Sequence, residues 1–346
     1  MSASEEDPIV RRKGDHLDIV LRGEGRQETK TTGFERLDFV HRALPELDAD
    51  AIDLSTTFLG RSVGAPLLVS AMTGGPARAE AVNRNIALAC QEMRIAMAVG
   101  SQRVALESGA AAGIARELRT HAPDVPLMGN LGAAQLALGY GLDEARRLVE
   151  MIGADALTIH LNPLQEVLQH EGDRDWRGLL DRIGDLANRL GVPVGVKEVG
   201  NGIAAPLARD LVARGVAVVD VAGAGGTSWA AVEGARHADP AMRAVAAAFS
   251  DWGIPTARAV RDVRDACPDV VLVASGGIRN GVDAAKAIAL GADMVGQAAA
   301  TLEAALEGPG ALVGHFEVMT QQLRVAMFCV GAGDLRALRG VELVER

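Results

Sequence analysis

The sequence predicts an α/β protein of the (β/α)8 TIM-barrel class, with an N-terminal extension and a long C-terminal helix. Three observations carry that expectation. Short, continuously apolar, β-branched runs recur eight times, at 66–70, 95–99, 125–128, 156–160, 193–197, 217–221, 270–275 and 293–297. Runs of this kind suit parallel strands covered on both faces. Segments of helical periodicity separate them, and strands alternating with helices close most economically into a barrel. Lastly, glycines and small polar groups follow every run, as expected where the C-terminal strand ends of a barrel build a site.

Residues 1–60 read as an extension that folds over the barrel mouth, with 1–10 disordered, and residues 61–346 read as a single barrel domain. Between the runs, Pro206 opens a helix whose apolar face holds Leu207, Leu211 and Val212, and Gly215 ends it. Gly153-Ala154-Asp155-Ala156 and Gly291-Ala292-Asp293-Met294 repeat one junction, a glycine helix stop followed by a strand. The stretch 222–269 exceeds a simple crossover and predicts extra helices near 230–235 and 256–266. Leu312, Val313, Phe316, Met319, Leu323 and Met327 then mark the apolar stripe of the terminal helix, facing the core or a second subunit.

Composition narrows the function. A formal charge of −10 leaves no basic stripe with which to neutralise nucleic-acid phosphates, so any anionic ligand needs a local clamp. Cys90, Cys267 and Cys329 are scattered and form no CxxC pair, which points to reduced thiols in a cytoplasmic protein. No apolar run reaches the ~18 residues of a membrane span, and the acidic start lacks a signal-peptide core. The protein is expected to be soluble, without membrane insertion.

The strand tips carry the chemistry. After the fourth run stands His160-Leu161-Asn162-Pro163-Leu164-Gln165-Glu166, a convergence of polar groups on one tip. The seventh tip, Gly276-Gly277-Ile278-Arg279, with Gly296 on the eighth, suits a phosphate cradle of backbone N–H groups; Gly225-Gly226-Thr227 on the sixth would complete it. Lys197 ends the fifth run, where a structural lysine would be costly without an acceptor. It could pair with Glu198, act as a Schiff-base nucleophile, or donate to a flavin ring. The cradle opposite favours the flavin, since a reduced ring needs a cation or donors near N1 and C2=O. Thr73, Ser101 and Asn130 on neighbouring tips would then contact the ring and ribityl chain. Glu166 is either a solvated helix start or, beside His160 and Asn162, a ligand for Mg2+, which commonly bridges protein carboxylate and substrate phosphates. Arg11-Arg12-Lys13, with His16 one helical turn on, is either a solvated tail or, with Arg103, a clamp for a diphosphate.

Taken together, these motifs resemble those of the type 2, FMN-dependent isopentenyl-diphosphate delta-isomerases. The similar elements are Arg12-Lys13-Gly14-Asp15-His16, Phe39-Val40-His41-Arg42, Met72-Thr73-Gly74-Gly75, Gly100-Ser101-Gln102-Arg103 and His160-Leu161-Asn162-Pro163-Leu164-Gln165-Glu166. Ala43-Leu44-Pro45, which continues the second element, Lys197-Glu198-Val199-Gly200, Gly225-Gly226-Thr227-Ser228-Trp229, Asp251-Trp252-Gly253 and Ser275-Gly276-Gly277-Ile278-Arg279 complete them. The eighth tip departs from the pattern, with Ala298-Ala299-Ala300 where many members have Arg or Pro. The resemblance implies interconversion of isopentenyl and dimethylallyl diphosphate in isoprenoid biosynthesis, with reduced FMN, NADPH as reductant and Mg2+, in a homo-oligomer of four or eight chains. It implies that Ala71, Met72, Thr73, Ser101, Asn130, Lys197, Thr227, Gly276, Gly277, Arg279, Ala298 and Ala299 bind FMN. Arg12, Lys13, His16, Ser101, Gln102, Arg103, His160, Asn162 and Gln165 would bind substrate, with 11–16 as the clamp, and Glu166 the metal. Gln165, His160 and Lys197 would be catalytic. Shifting a double bond requires protonation of a weakly basic alkene, and no Cys–Glu pair stands at the tips. The reduced flavin, through N5, is therefore expected to exchange the protons, with Gln165 as relay. The rival expectation is an FMN-dependent 2-hydroxy-acid oxidase or dehydrogenase. That chemistry asks for a His base and an Arg near the sixth tip, which instead reads Asp220-Val221-Ala222-Gly223.

Overall fold

The computed structural model of the chain describes residues 8–72, 77–108 and 114–346. Eight parallel strands close a barrel within them: Leu67–Val69, Ala96–Ala98, Leu127–Gly132, Ala156–His160, Val194–Lys197, Val218–Asp220, Val271–Ala274 and Met294–Gln297. Each pairs with the next and the eighth with the first. Seven of the eight predicted runs hold one of them whole, and the third run, 125–128, overlaps the start of its strand. The inward side chains of Leu68, Ala98, Met128, Val218, Val273 and Met294 pack into one interior cluster. The antiparallel hairpin Thr56–Phe58 and Arg61–Val63 adds Phe58 and Val63 to that cluster from the side where the first strand begins. The outward faces pack with the helices into the larger core.

The third strand corrects the sequence reading, for it runs to Gly132 rather than stopping at Met128. Gly129 and Gly132 looked like loop residues. In fact the strand stays in register with the fourth from Met128↔Ala156 to Gly132↔His160. Glycine stands at 129 because a Cβ there would lie 2.8 Å from the Gln102 amide oxygen.

The two Gly-Ala-Asp junctions form one repeated device at the N-terminal ends of the strands. Arg119 donates to the Gly153 carbonyl, to Asp155 Oδ2 at 2.6 Å and to the Val125 carbonyl. Arg264 donates to the Gly291 carbonyl, to Asp293 Oδ2 at 2.7 Å and to the Val270 carbonyl. Each aspartate accepts a strand N–H, from Leu127 and Leu272 respectively. A second arginine serves each other oxygen, Arg61 on Asp155 and Arg339 on Asp293.

The long insertion after the sixth strand holds helices Trp229–Arg236, Pro240–Ala247 and Thr256–Ala266. Helix Pro309–Val330 buries all six residues of the predicted stripe in the protein's own core, so that stripe is not a subunit interface. Cys90 and Cys267 are buried and Cys329 is partly exposed. At the N-terminus, residues 1–7 lie outside the described residues. Pro8, Ile9 and Val10, expected to be disordered, open helix Pro8–Leu21. The chain beyond it lies along the sixth tip: Gln27 donates its N–H to the Gly226 carbonyl, and Ser228 donates to that of Gly25. Strand Leu37–Phe39 pairs with Leu343–Glu345 and ties the two ends of the chain together. Among the described residues, no helix is long and apolar enough to cross a membrane.

Candidate active site at the strand tips

The fourth tip is a connected polar chain. Helix Pro163–Leu168 starts directly after the fourth strand, with Asn162 as its cap residue and Pro163 in the first turn. That start sets Asn162, Gln165 and Glu166 on one side of a single turn. Asn162 Nδ2 donates to Gln165 Oε1 at 3.2 Å and to Glu166 Oε1 at 2.8 Å. Gln165 Nε2 in turn donates to Glu233 Oε1 at 2.8 Å. Glu166 Oε2 accepts from the Asp173 N–H. Asn162 Oδ1 is buried and accepts no bond from the described residues, so the tip presents a ready acceptor. His160 Nδ1 lies 2.7 Å from Asn130 Oδ1. Since Asn130 Nδ2 is spent on the Val99 carbonyl, His160 Nδ1 is the donor.

Glu233 was not anticipated. Its side chain is 1% exposed, yet His16 Nε2 lies 2.9 Å from one oxygen and Arg236 Nη1 3.0 Å from the other. Burial alone would raise its pKa; His16, then Gln165 and Arg236, outweigh burial and hold the carboxyl below the usual range. His16 also sets its ring edge-on against Trp229 at 5.2 Å. His16 thus reaches the fourth tip through Glu233. The side chains of Arg12 and Lys13 lie outside the described residues.

Lys197 and the fourth tip share one rim, since Lys197 is the register partner of His160. Its ammonium donates to the carbonyl of Glu198, not to the Glu198 carboxylate. That carboxylate instead accepts the N–H groups of Val199, Gly200 and Asn201, which removes the ion-pair reading of Lys197. Burial pushes the Glu198 carboxyl up to about 7 against those three bonds.

The sixth, seventh and eighth tips supply the cradle. Gly276 and Gly277 have φ of 100° and 69°, a region open to glycine at little cost. A Cβ on Gly276 would strike the Gly223 carbonyl, and one on Gly277 would lie 2.5 Å from that of Gly225. A Cβ on Gly226 would meet the Gly277 N at 2.7 Å. Bare backbone therefore packs against bare backbone beside Thr227, leaving N–H groups available to an anion. Arg279 is largely exposed and lies 3.5 Å from Asp283. Ala298 and Ala299 sit at the start of the short helical turn after the eighth strand.

On the remaining tips, Ala71 lines a small interior cavity with Lys197, and Met72 Sδ accepts from Thr301 Oγ1. Thr73 lies outside the described residues. Ser101 and Arg103 are partly exposed, and Arg103 pairs with Glu107 at 2.8 Å. Gln102 corrects the expectation of a substrate ligand. It is fully buried, accepting from Asn130 N and donating to the Leu148 carbonyl, because its amide bridges the third strand to helix Leu142–Ile152.

A family model described as FMN-dependent dehydrogenase matches residues 13–119 and 145–345. An isopentenyl-diphosphate delta-isomerase of Xanthobacter autotrophicus is 62% identical over 98% of this chain and 98% of its own. The chain belongs to the isopentenyl-diphosphate delta-isomerase family. Another isomerase of that family, from Stutzerimonas stutzeri, is 60% identical over 97% of both chains, and one from Synechococcus is 52% identical over 96% of both. Solved structures share the fold of this isomerase family at lower identity. A mandelate oxidase variant covers 97% of this chain and all of its own, with a TM-score of 0.66 and 16% identity. A flavocytochrome b2 variant covers 95% and 82%, with a TM-score of 0.70 and 18% identity.

The tips fit the groups that such a family implies. The glycine tips have the backbone geometry to take a phosphate, and Lys197 stands on the same rim as the fourth tip. Among the described residues, Glu166 belongs to no cluster of three or more His, Cys, Asp or Glu. Such a carboxylate suits Mg2+ completed by substrate oxygens and water.

Proposed function

We propose that this chain interconverts isopentenyl and dimethylallyl diphosphate, with FMN in its reduced form seated in the barrel mouth. One observation carries the reading: Lys197 and the Asn162–Gln165–Glu166 cluster stand on adjacent tips of one rim, joined by the His160↔Lys197 register. A flavin edge and a diphosphate can therefore meet there.

The backbone of Gly276, Gly277 and Gly226, with Thr227 and Arg279, would hold the FMN phosphate, and Ala298 and Ala299 would complete the cradle. Ala71, Met72, Thr73, Ser101, Asn130 and Lys197 would line the ring and ribityl chain. Reduced FMN, when bound, supplies proton exchange and an electron-rich face for a cationic carbon. Glu166 would hold Mg2+, which would supply positive charge for the diphosphate, and Arg12, Lys13 and Arg103 would add to that charge. His160 and Asn162 fix the substrate, and Gln165, itself fixed by Glu233, orients the proton-carrying group. One proton enters the alkene and one leaves two carbons away, so no electrons are consumed. NADPH is the reductant that keeps the cofactor reduced. The protein acts in the cytoplasm as a homo-oligomer of four or eight chains, without nucleic-acid partners.

The oxidase reading rests on the fold alone, and the sixth tip lacks the histidine that such chemistry uses. Anaerobic incubation of FMN-loaded, dithionite-reduced enzyme with isopentenyl diphosphate and Mg2+ tests the proposal. Dimethylallyl diphosphate should form with no net oxidation of the flavin. Turnover of a 2-hydroxy acid with oxygen uptake, and none of the diphosphate, would replace the reading.

A further inference from the structure

We infer that Asp220 is a positioning residue for Lys197, holding its ammonium at the floor of the mouth from beneath; this rests on the reading that FMN lies against Lys197. The two residues end adjacent strands and are register partners. Both are buried, at 6% and 8% exposure, in a barrel interior filled mainly by apolar side chains. An acid in that place needs a reason, because an isolated buried carboxylate is strongly disfavoured.

Asp220 is itself anchored. Oδ1 accepts from Ser275 Oγ at 2.6 Å and from the Ala222 N–H at 3.2 Å. Neither bond uses Oδ2. Asp220, Lys197, Ser70, Ala71 and Thr158 line one small cavity of about 10 Å³ in the barrel centre. That is the space of a single water. Ser70 Oγ and Thr158 Oγ1 are buried there and bond to nothing among the described residues. The cavity has room for one water that would accept from the ammonium, donate to the carboxylate and donate to one of the two hydroxyls. Burial holds the Asp220 pKa above its ordinary value, with Lys197 foremost among the influences that oppose the rise. From above, among the described residues, the Lys197 ammonium donates to the Glu198 carbonyl alone. Asp220 is thus the acid placed, by register and shared cavity, to fix where the ammonium points.

The test uses the full chain loaded with FMN. Asp220→Asn is isosteric and keeps an acceptor for Ser275. It should weaken FMN binding about tenfold, read by quenching of flavin fluorescence, and lower the flavin midpoint potential, read by reduction against a reference dye. Lys197→Met should do both as well. Adding Asp220→Asn to Lys197→Met should then change neither quantity further, which a merely structural role would not produce. Should Asp220→Asn fail to fold, Ser275→Ala, which loosens Asp220 without altering its charge, should shift both quantities in the same direction. Unchanged affinity and potential in Asp220→Asn, or an effect that persists undiminished beside Lys197→Met, would overturn the inference. Wild-type values in Lys197→Met alone would instead remove the flavin from Lys197, and with it the reading on which this rests.

Discussion

His16 and Gln165 meet on a single atom, since Glu233 Oε1 lies 2.9 Å from His16 Nε2 and accepts from Gln165 Nε2 at 2.8 Å. The N-terminal helix and the fourth tip are thereby fixed to each other through one buried carboxylate. Docking of the arm and orientation of Gln165 become one event.

Glu233→Gln removes the charge and keeps the shape. His16 and Arg236 lose their anion and Gln165 loses a charge-assisted acceptor, which is worth roughly twice a neutral one. The expected result is a kcat reduced about 10- to 100-fold, the scale of a small misplacement at a reacting centre. FMN affinity should stay within about threefold, because the cradle is on other tips. Steady-state kinetics and flavin titration check the pair of outcomes.

The same carboxylate predicts a response to acid. A carboxyl whose folded pKa lies below its unfolded value stabilises the fold above that unfolded value, 4.5 for Glu233. The stabilisation is lost as pH falls through the lower, folded value. Protease sensitivity at 22–26, next to helix Pro8–Leu21, should therefore rise in that acid range. In Glu233→Gln it should already be high at neutral pH.

Glu198 has the opposite sign. Its carboxyl is held at about 7 against an ordinary 4.5, so between those values the folded chain binds more protons than the unfolded one. Stability from this group falls as pH rises across that window, by up to about 3 kcal/mol. Glu198→Gln still accepts from the 199–201 backbone and does not titrate. Its thermal midpoint should exceed that of the wild type increasingly from about pH 5 to about pH 7.5; a constant difference across that range would refute the assignment.

Arg119 and Arg264 sit in the repeated junctions at the end of the barrel away from the tips. Each alanine variant strips several carbonyls and a partly buried aspartate of a shared donor, which should cost about 1–3 kcal/mol of stability. Chemical denaturation should show that loss in both variants, with FMN affinity unchanged in the residual folded protein.

The barrel was legible because its strands are buried on both faces and so are written as unbroken apolar runs. The third strand was cut short because Gly129 and Gly132 read as turns, whereas close approach of side chains requires them. The cradle and the fourth tip were also legible, since chemistry there lies in consecutive residues. Glu233 escaped because its partners, His16 and Gln165, come from distant parts of the chain. A weak signal was present all the same: an acid one turn after Trp229, amid Ala230, Ala231 and Val232, faces inward. Gln102 misled for the converse reason, since an amide beside polar neighbours gives no sign of which way it turns. Asp220 was noted only for the histidine it replaces.

The most direct measurement is solvent-proton incorporation by FMN-loaded, reduced enzyme given isopentenyl diphosphate and Mg2+ in D2O, followed by mass spectrometry of the product. Dimethylallyl diphosphate carrying deuterium, formed without net flavin oxidation, is the expected result. Product formed free of deuterium would contradict proton exchange at this rim.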